Sequence, residues 1–182
     1  MSEARAFGRD AWWRWLPVLP FALAAALVAA LLAQYIHAMA TTSLWVDEYY
    51  TVVAFSTKGP WAAWTDYHVP NNHILYSIAN SFWPERIAYE PVPARLLSFL
   101  ATIAAFVLLA WFAVRERAWG GGALALLLLA DTQTLDLVLQ ARGYGFAMLA
   151  AMVQAVATAR YLADGARGWL IVAAAGAFAA VA

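Results

Sequence analysis

Long apolar runs recur along this chain of 182 residues, and they constrain its fold more than any other feature. A bilayer core of ~30 Å takes about 20 consecutive apolar residues in one helix. The runs that reach this length are Leu16 to Met39, Ala94 to Val114, Gly121 to Gln140 and Tyr144 to Ala163. A further run starts at Trp169 and is still apolar at Ala182. The pattern therefore predicts an all-α, polytopic membrane helix bundle with four complete spans and a truncated fifth.

The composition favours the same class of protein. Hydrophobic residues make up 65% of the chain and charged residues only 12%, whereas about a quarter of a typical soluble domain is charged. The 11 basic and 11 acidic side chains cancel to a formal net charge of zero, which argues against a basic nucleic-acid binder. Because the chain has no cysteine, disulfides, thiolate metal sites and a cysteine nucleophile are excluded.

Basic residues near the predicted spans set the expected orientation, because positively charged loops tend to stay in the cytoplasm. One side would carry Arg5, Arg9, Arg14, Arg115, Arg117, Arg160 and Arg167, and the other Lys58, Arg86, Arg95 and Arg142. We therefore expect a multi-pass protein of the cell (inner) membrane with a cytoplasmic N-terminus, residues 1–15. Residues 16–182 would form the N-terminal part of a larger transmembrane module whose C-terminal remainder is absent, with residues 41–92 as an extracytoplasmic loop.

The outer loop is too long for a simple connection, and its composition predicts order. A helix is expected from Leu44 to Thr57, capped by Ser43, and a second one from about Asn72 to Phe82. Both carry aromatic residues, and tryptophan and tyrosine are favoured at membrane interfaces. The loop is therefore predicted to form two helices lying on the membrane surface.

Asp47 and Glu48 stand side by side in this loop, within an aromatic and aliphatic segment. Carboxylates close to a bilayer must be solvated, paired or used, because burying an unpaired charge is costly. One role is to stabilise the start of a helix, which contributes roughly 0.3–1 kcal/mol. The other is to deprotonate an incoming hydroxyl as a general base. Position alone leaves both roles open.

The outer half of the third run is polar, and Gln133, Asp136 and Gln140 share one helical face through their spacing. Polar residues at membrane depth line a cavity or pair with neighbours, so a pocket opening outward is expected. Arg142 and Arg95 stand at the outer ends of predicted spans. Each is either an interface anchor or a ligand for an anionic group such as phosphate, and Arg142 is also a possible partner for Asp136.

The loop also contains His68 and His73, which could ligate a metal ion together with Glu48. Two histidines without a tight motif are a weak metal signal, so hydrogen bonding is the favoured interpretation. A divalent metal ion stays open as a cofactor, and no other cofactor is indicated.

Four short motifs follow one another along the chain. They are Leu44-Trp45-Val46-Asp47-Glu48, Asp66 to Tyr76 (DYHVPNNHILY), Arg95-Leu96-Leu97-Ser98 and Gln140-Ala141-Arg142-Gly143-Tyr144. In this order the chain after residue 14 resembles the N-terminal part of the GT-C superfamily of integral membrane glycosyltransferases. In particular, it resembles the branch that includes protein O-mannosyltransferases and lipid A aminoarabinose transferases.

The resemblance implies transfer of a sugar from a polyprenyl-phosphate carrier to an acceptor hydroxyl on the outer face, with inversion at the anomeric carbon. The acceptor would be a lipid, a glycan or a protein. Asp47 would be the general base, and Glu48 would orient the acceptor or the base. Arg142, with Arg95 or Lys58, would hold the carrier phosphate. Further substrate-binding candidates are His73, Asn72, Tyr144 and Asp136.

Two other classes of function stay open from the residues themselves. A transporter or flippase also needs a polar cavity with intramembrane acids, although transporters usually place their binding residues near the bilayer midplane. A non-catalytic membrane scaffold would bind a partner through the loop. In a scaffold Asp47 would be dispensable.

Overall fold

The computed structural model describes residues 15–16, 18–66, 68 and 72–181. Over these residues the chain is all-helical. In chain order the helices are α1 (Val18–Thr41), α2 (Val46–Ala54), α3 (Pro60–Thr65), α4 (Ile74–Asn80), α5 (Glu85–Ala88), α6 (Pro91–Arg115), α7 (Trp119–Leu129), α8 (Thr132–Val138), α9 (Tyr144–Asp164) and α10 (Gly168–Val181). Two parts of the sequence predictions lie outside the described residues, namely the N-terminal arginines Arg5, Arg9 and Arg14 and the motif residues Tyr67 and Val69 to Asn71.

Three helices, α1, α6 and α9, are long and apolar enough to cross a membrane. They correspond to the first, second and fourth predicted runs, and each runs one or more residues past the predicted end. α6 starts at Pro91 rather than Ala94, because proline is well suited to the first turn of a helix, where its missing N–H is not needed. α10 is apolar but has only 14 residues.

The third predicted span is not one straight helix. α7 ends at Leu129, α8 begins at Thr132, and the two are bent by 69°. Asp131 explains the break, because its carboxylate accepts hydrogen bonds from the backbone N–H groups of Gln133 and Thr134 and so caps a new helix. The described residues therefore contain three candidate spans, or four if the bent pair is one.

The first loop helix is shorter than predicted. α2 begins at Val46, with Trp45 rather than Ser43 at the N-cap position, and the Glu48 carboxylate accepts the Trp45 N–H at 2.8 Å. After Ala54 the chain tightens into a 3₁₀ turn over Ser56–Lys58. It then turns at Gly59, whose φ of 91° favours glycine.

The second predicted loop helix is also shorter, since α4 covers Ile74–Asn80 instead of residues 72 to 82. Two more short helices, α3 and α5, lie on either side of it in the sequence. The loop is anchored by a small apolar core made of Val52, Tyr76, Ala88, Ala94 and Ala141. The Tyr76 hydroxyl donates to the Ala94 carbonyl at 2.7 Å, which fixes α4 against α6.

α1 ends at the same end of the bundle at which α6 and α9 both begin. The α1 C-terminus, the α6 N-terminus, the α8–α9 turn and the short helices α2–α5 meet at one end, which we call the loop end. α6 and α9 approach so closely there that a Cβ on Gly145 would lie 2.5 Å from the Ser98 carbonyl oxygen. At the opposite end, Arg160 of α9 pairs with Glu116 after α6 at 2.7 Å.

Candidate functional site

Glu48 lies at the centre of the loop end and is fully buried, with an exposed fraction of 0%. Its Oε1 accepts hydrogen bonds from Arg95 Nε at 2.8 Å and the Ala141 N–H at 2.6 Å. Its Oε2 accepts hydrogen bonds from Arg95 Nη2 at 2.6 Å and the Trp45 N–H at 2.8 Å. One carboxylate thus joins α2, α6 and the α8–α9 turn.

Arg95 is bound on all of its N–H groups. Besides the two bonds to Glu48, Nη2 donates to the Ser43 carbonyl at 2.9 Å. Nη1 donates to the carbonyl and hydroxyl of Thr42 at 3.0 and 2.8 Å. Because a guanidinium has five donors, none is left for a phosphate. In this geometry Arg95 is a structural partner of Glu48, which differs from the phosphate role suggested for it from the sequence.

Electrostatics explain why this buried pair is stable. Burial acts to raise the pKa of Glu48, but the Arg95 guanidinium and two backbone N–H donors outweigh burial and hold the pKa below its usual value. Burial, with the charge of Glu48 nearby, raises the pKa of Tyr76. The carboxylate is therefore charged and the phenol neutral at physiological pH.

Asp47 points the other way, although it is the neighbour of Glu48 in the first turn of α2. Its side chain is 67% exposed, and its Oδ2 lies 3.5 Å from Arg142 Nη1. The Arg142 side chain is only 14% exposed. The structure thus brings together Asp47 and Arg142, the two residues for which the resemblance implied the general-base and phosphate-binding roles. It does not pair Arg142 with Asp136, the other partner considered.

Arg142 is held by its neighbours in the α8–α9 turn. Its guanidinium lies 4.9 Å from the centre of the Tyr144 ring, within the range of a cation–π interaction. The Ser98 hydroxyl donates to its carbonyl oxygen at 2.6 Å. The His73 ring packs edge-on against Tyr144, with ring centres 5.0 Å apart.

His73 is a neutral side chain in this setting. Burial, and then the nearby charge of Arg142, lowers the pKa of His73 to about 4. The ring lies against Gly143, where a Cβ would come within 2.6 Å of the His73 Cβ. Its Nε2 is buried and has no hydrogen-bond partner among the described residues. His73 therefore presents one unsatisfied ring nitrogen beside Arg142.

A cavity of about 260 Å³ lies between α1, α6 and the end of α8. Asp136 and Gln140 line it, as the polar pattern predicted, together with Arg95. Asp136 accepts a hydrogen bond from the Tyr35 hydroxyl at 2.5 Å. α8 ends before Gln140, so the predicted face of Gln133, Asp136 and Gln140 is not one continuous helical face, and Gln133 is absent from the lining. Sequence reasoning missed Tyr35, whose only signal was a polar group near the end of an apolar run.

Lys58 belongs to a separate cluster on the loop. Its Nζ lies 3.8 Å from Asp66 Oδ2, and its side chain is 51% exposed. Asp66 also accepts a hydrogen bond from His68 Nδ1, and His68 Nε2 lies 3.0 Å from the Tyr50 hydroxyl. The hydrogen bond to His68 is the main reason that the pKa of Asp66 is lowered. The structure therefore places Lys58 with Asp66.

Asn72 is buried and has a structural role in the same part of the loop. Its side-chain amide donates to the carbonyl oxygens of Ala63 and Asp66, each at 2.8 Å. These bonds tie the start of α4 to the end of α3. Its donor atom is therefore occupied, which leaves only Oδ1 to contact a substrate.

The metal-site candidates from the sequence do not come together. Within the part of the chain that the structure describes, no three histidine or acidic side chains are placed to hold a metal ion. Glu48 binds four N–H donors, His68 binds Asp66 and Tyr50, and His73 packs on Tyr144. The chemistry offered by the loop end is therefore that of an exposed carboxylate beside a cation.

Comparison with known proteins found no match for this chain. No protein-family model matches the chain, and no curated protein and no solved structure is detectably similar to it.

Proposed function

We propose that the protein is a membrane glycosyltransferase, which moves a sugar from a polyprenyl-phosphate carrier to an acceptor hydroxyl with inversion. The observation that carries the proposal is the meeting of the four motifs at the loop end. Glu48 of the first motif binds Arg95 of the third and the Ala141 N–H of the fourth. His73 of the second motif packs on Tyr144 of the fourth.

Asp47 is the proposed general base. An exposed carboxylate in the first turn of a fixed helix can receive an acceptor hydroxyl from solvent and take its proton as the new glycosidic bond forms. Because the adjacent Glu48 is anchored by four hydrogen bonds, α2 presents Asp47 in one position. Glu48 thus orients the base through the backbone and does not contact the acceptor.

Arg142 is the proposed ligand for the carrier phosphate. As the bond from the anomeric carbon to the phosphate oxygen breaks, negative charge grows on the phosphate, and a fixed guanidinium stabilises it. Arg142 is held by stacking on Tyr144 and lies beside Asp47. An inverting displacement places the acceptor hydroxyl and the phosphate on opposite faces of the anomeric carbon, so the 3.5 Å contact between Asp47 and Arg142 must open as the sugar enters between them. His73 and Asp136 remain proposed substrate contacts, through the ring Nε2 and through the cavity respectively.

The proposed membrane arrangement follows from the same geometry. The bent pair α7–α8 makes the third crossing and α9 makes the fourth. The loop end lies outside the cell membrane, and α2–α5 rest on the membrane surface. Large exposed aromatic side chains support this placement, since such side chains are favoured at the bilayer interface. They are Trp45, Tyr49, Trp61, Trp64 and Phe82.

The experiment compares the wild-type protein with Asp47→Asn in a transfer assay. The substrates are a radiolabelled polyprenyl-phosphate sugar and a panel of lipid, glycan and peptide acceptors. We expect the variant to lose roughly 10²- to 10⁴-fold in rate, which is the usual contribution of a general base. Glu85→Gln is the matched control, because Glu85 is also an exposed carboxylate in the loop and is expected to leave the rate unchanged.

Retention of the full rate by a folded Asp47→Asn variant would reject Asp47 as the base. Absence of transfer by the wild-type protein with every donor and acceptor would reject the enzyme assignment itself. Thermal unfolding of each variant, followed alongside the assay, separates loss of chemistry from loss of fold.

A flippase is the second candidate function, and one observation favours it. The break between α7 and α8, with Asp131 at the bend, resembles the interrupted helices that line transporter binding sites. A fluorescent polyprenyl-phosphate sugar in sealed vesicles distinguishes the two functions. A flippase moves the lipid between leaflets without any acceptor, whereas the proposed transferase leaves it in place until an acceptor is added.

A further inference from the structure

Tyr50, His68 and Asp66 are joined by hydrogen bonds on the loop, and the proposed reaction does not yet use them. We call these three residues the loop triad. His68 Nδ1 lies 2.5 Å from Asp66 Oδ1, and His68 Nε2 lies 3.0 Å from the Tyr50 hydroxyl. Lys58 Nζ lies 3.8 Å from the other carboxylate oxygen of Asp66. Both ring nitrogens of His68 are therefore engaged, and the triad ends at the Tyr50 hydroxyl.

A buried phenylalanine holds the two rings of the loop triad in place. Phe55 follows α2 directly and has an exposed fraction of 0%. Its ring centre lies 5.4 Å from that of His68 and 6.1 Å from that of Tyr50. Tyr50 itself is 38% exposed, and the His68 side chain is 46% exposed. The hydrogen bond between them is thus built on a packed side chain and reaches the surface.

The charge of Asp66 decides which atoms of the loop triad carry hydrogen. The hydrogen bond to His68 is the main cause that lowers the pKa of Asp66, and an ionised carboxylate only accepts hydrogen bonds. His68 Nδ1 is therefore the donor, and in a neutral imidazole Nε2 is then an acceptor. The Tyr50 hydroxyl consequently donates to His68. Its oxygen keeps lone pairs that can accept a hydrogen bond from a ligand.

Tyr50 lies one helical turn after Asp47 on α2. Residues three positions apart lie on the same side of a helix, with Cβ atoms about 5–6 Å apart. Asp47 and Tyr50 are both exposed, whereas Glu48 is buried. The exposed surface of α2 therefore presents two hydrogen-bond acceptors next to each other, the Asp47 carboxylate and the oriented phenol oxygen of Tyr50.

We propose that the loop triad is a subsite for the acceptor and that the acceptor is a glycan. The inference rests on the proposed function for the role of Asp47. Two neighbouring acceptors complement a molecule with two neighbouring hydroxyl groups, as on a sugar ring. The hydroxyl beside the one that Asp47 deprotonates donates to Tyr50. A serine or threonine in a peptide has one hydroxyl and leaves Tyr50 without a donor. Tyr50 is thus an acceptor-binding residue, and His68 and Asp66 are positioning residues.

Tyr50 and Tyr49 provide a matched pair for the test. Both are exposed on α2, but Tyr50 bonds to His68 whereas Tyr49 packs against Tyr89. The acceptor probes are methyl glycosides of the common hexoses, with a radiolabelled polyprenyl-phosphate sugar as donor. We expect Tyr50→Phe to raise the KM for the glycoside about 3- to 10-fold, the usual worth of one hydrogen bond. We expect kcat to change less than about twofold, and Tyr49→Phe to change neither constant by more than that.

Singly deoxygenated glycosides identify the contact itself. The analogue without the neighbouring hydroxyl should bind the wild-type protein as weakly as the parent glycoside binds Tyr50→Phe, and the variant should cause no further loss. His68→Gln should keep most of the affinity, because its side-chain carbonyl can still accept the Tyr50 hydroxyl. His68→Leu should match Tyr50→Phe. Saturation-transfer NMR without donor measures the binding, and thermal unfolding checks the fold of each variant.

Three results would overturn the inference. One is an equal KM for folded Tyr50→Phe, Tyr49→Phe and the wild-type protein. The second is an additive loss when the deoxygenated glycoside meets Tyr50→Phe. The third is glycoside binding that phosphatidylglycerol vesicles abolish, which would make the loop triad a site for a lipid headgroup. Sugar transfer with any of these results would keep the proposed function and reject the subsite. Glycoside binding that depends on Tyr50, without transfer from any donor, would reject the enzyme and keep the subsite.

Discussion

Two neighbouring carboxylates in the first turn of α2 have opposite environments. Glu48 is fully buried and shares two hydrogen bonds with Arg95. The Asp47 side chain is 67% exposed, and its Oδ2 lies 3.5 Å from Arg142 Nη1. Glu48 faces Arg95 of α6, and Asp47 faces Arg142 of the α8–α9 turn. Both are pairs of a carboxylate and a guanidinium, but the Glu48–Arg95 pair is buried and short, whereas the Asp47–Arg142 pair is longer and has an exposed carboxylate.

This difference suits the two pairs to different roles, one structural and one in contact with a substrate. A buried, fully hydrogen-bonded pair cannot exchange partners without leaving an unpaired charge in an apolar interior. The Glu48–Arg95 pair therefore holds α2 in a fixed position against α6. A longer pair whose carboxylate is exposed contributes less to stability and can open to admit another anion. The chain therefore uses one carboxylate to position α2 and leaves the other accessible to a substrate.

The largest expected effect comes from removing one partner of the buried pair. Arg95→Met leaves Glu48 charged and buried, which we expect to lower the free energy of unfolding by about 3–5 kcal/mol. Asp47→Asn should change it by no more than about 1 kcal/mol, because an exposed pair is worth that much or less. Denaturant unfolding in detergent micelles measures both variants.

The double variant Glu48→Gln with Arg95→Met makes this comparison sharper. A neutral amide removes the uncompensated charge but can still accept a backbone N–H, so part of the lost stability should return. Arg86→Met is the control for loss of a positive charge in the loop, since Arg86 is exposed. If Arg95→Met lowered the free energy of unfolding no more than Arg86→Met does, the Glu48–Arg95 pair would not have the structural role that distinguishes it from Asp47.

The next effect concerns carrier binding at the exposed pair. Arg142→Ala should weaken binding of a polyprenyl phosphate by roughly 10-fold or more, because a hydrogen bond to a charged group is worth about 1.5–3 kcal/mol. Lys58→Ala is the matched control. Lys58 is half-exposed and paired with Asp66 at 3.8 Å, so its loss should change the affinity less than about twofold. Equal losses in the two variants, measured by carrier titration, would put the phosphate site at both cations.

Much of the helical architecture follows from the sequence because long apolar runs are a strong local signal. α1, α6 and α9 lie where the runs predicted them. The third run was predicted as one span, but its apolar half and its polar half form two separate helices, α7 and α8. Asp131 looked like one polar residue among several in that run, and only its capping of Gln133 and Thr134 shows that a new helix begins there.

The site was predicted in part. Asp47 and Arg142 are 95 positions apart by their residue numbers, and the sequence suggested both on chemical grounds and through resemblance. Sequence could not show which of two adjacent carboxylates is buried, because that depends on how Arg95 and the Ala141 N–H approach from other helices. Nor could it show that Lys58 turns toward Asp66, which depends on the path of the loop.

The smallest expected effect is a difference in the pH windows of the two regions. In the folded state the pKa of His73, beside Arg142, is lowered from 6.5 to about 4. Between these two values the unfolded chain binds more protons than the folded one, so stability is complete above about pH 6.5 and falls as the pH drops toward 4. The lowered pKa of Glu48, with a usual value of 4.5, makes its contribution disappear only at lower pH. The region around His73 and Arg142 should therefore weaken first on acidification.

Because His73 is partly exposed to solvent, we expect the loss between pH 6.5 and 4 to be only on the order of 1 kcal/mol. His73→Gln should remove most of this slope, while His37→Gln, an exposed histidine in α1, should leave it unchanged. Unfolding at half-unit pH steps measures both. A slope that survives His73→Gln would mean that another group titrates in this window. In that case the acid sensitivity of the loop end would not arise from the histidine that packs on Tyr144 beside Arg142, and the Asp47–Arg142 region would be no more sensitive to acid than the Glu48–Arg95 pair.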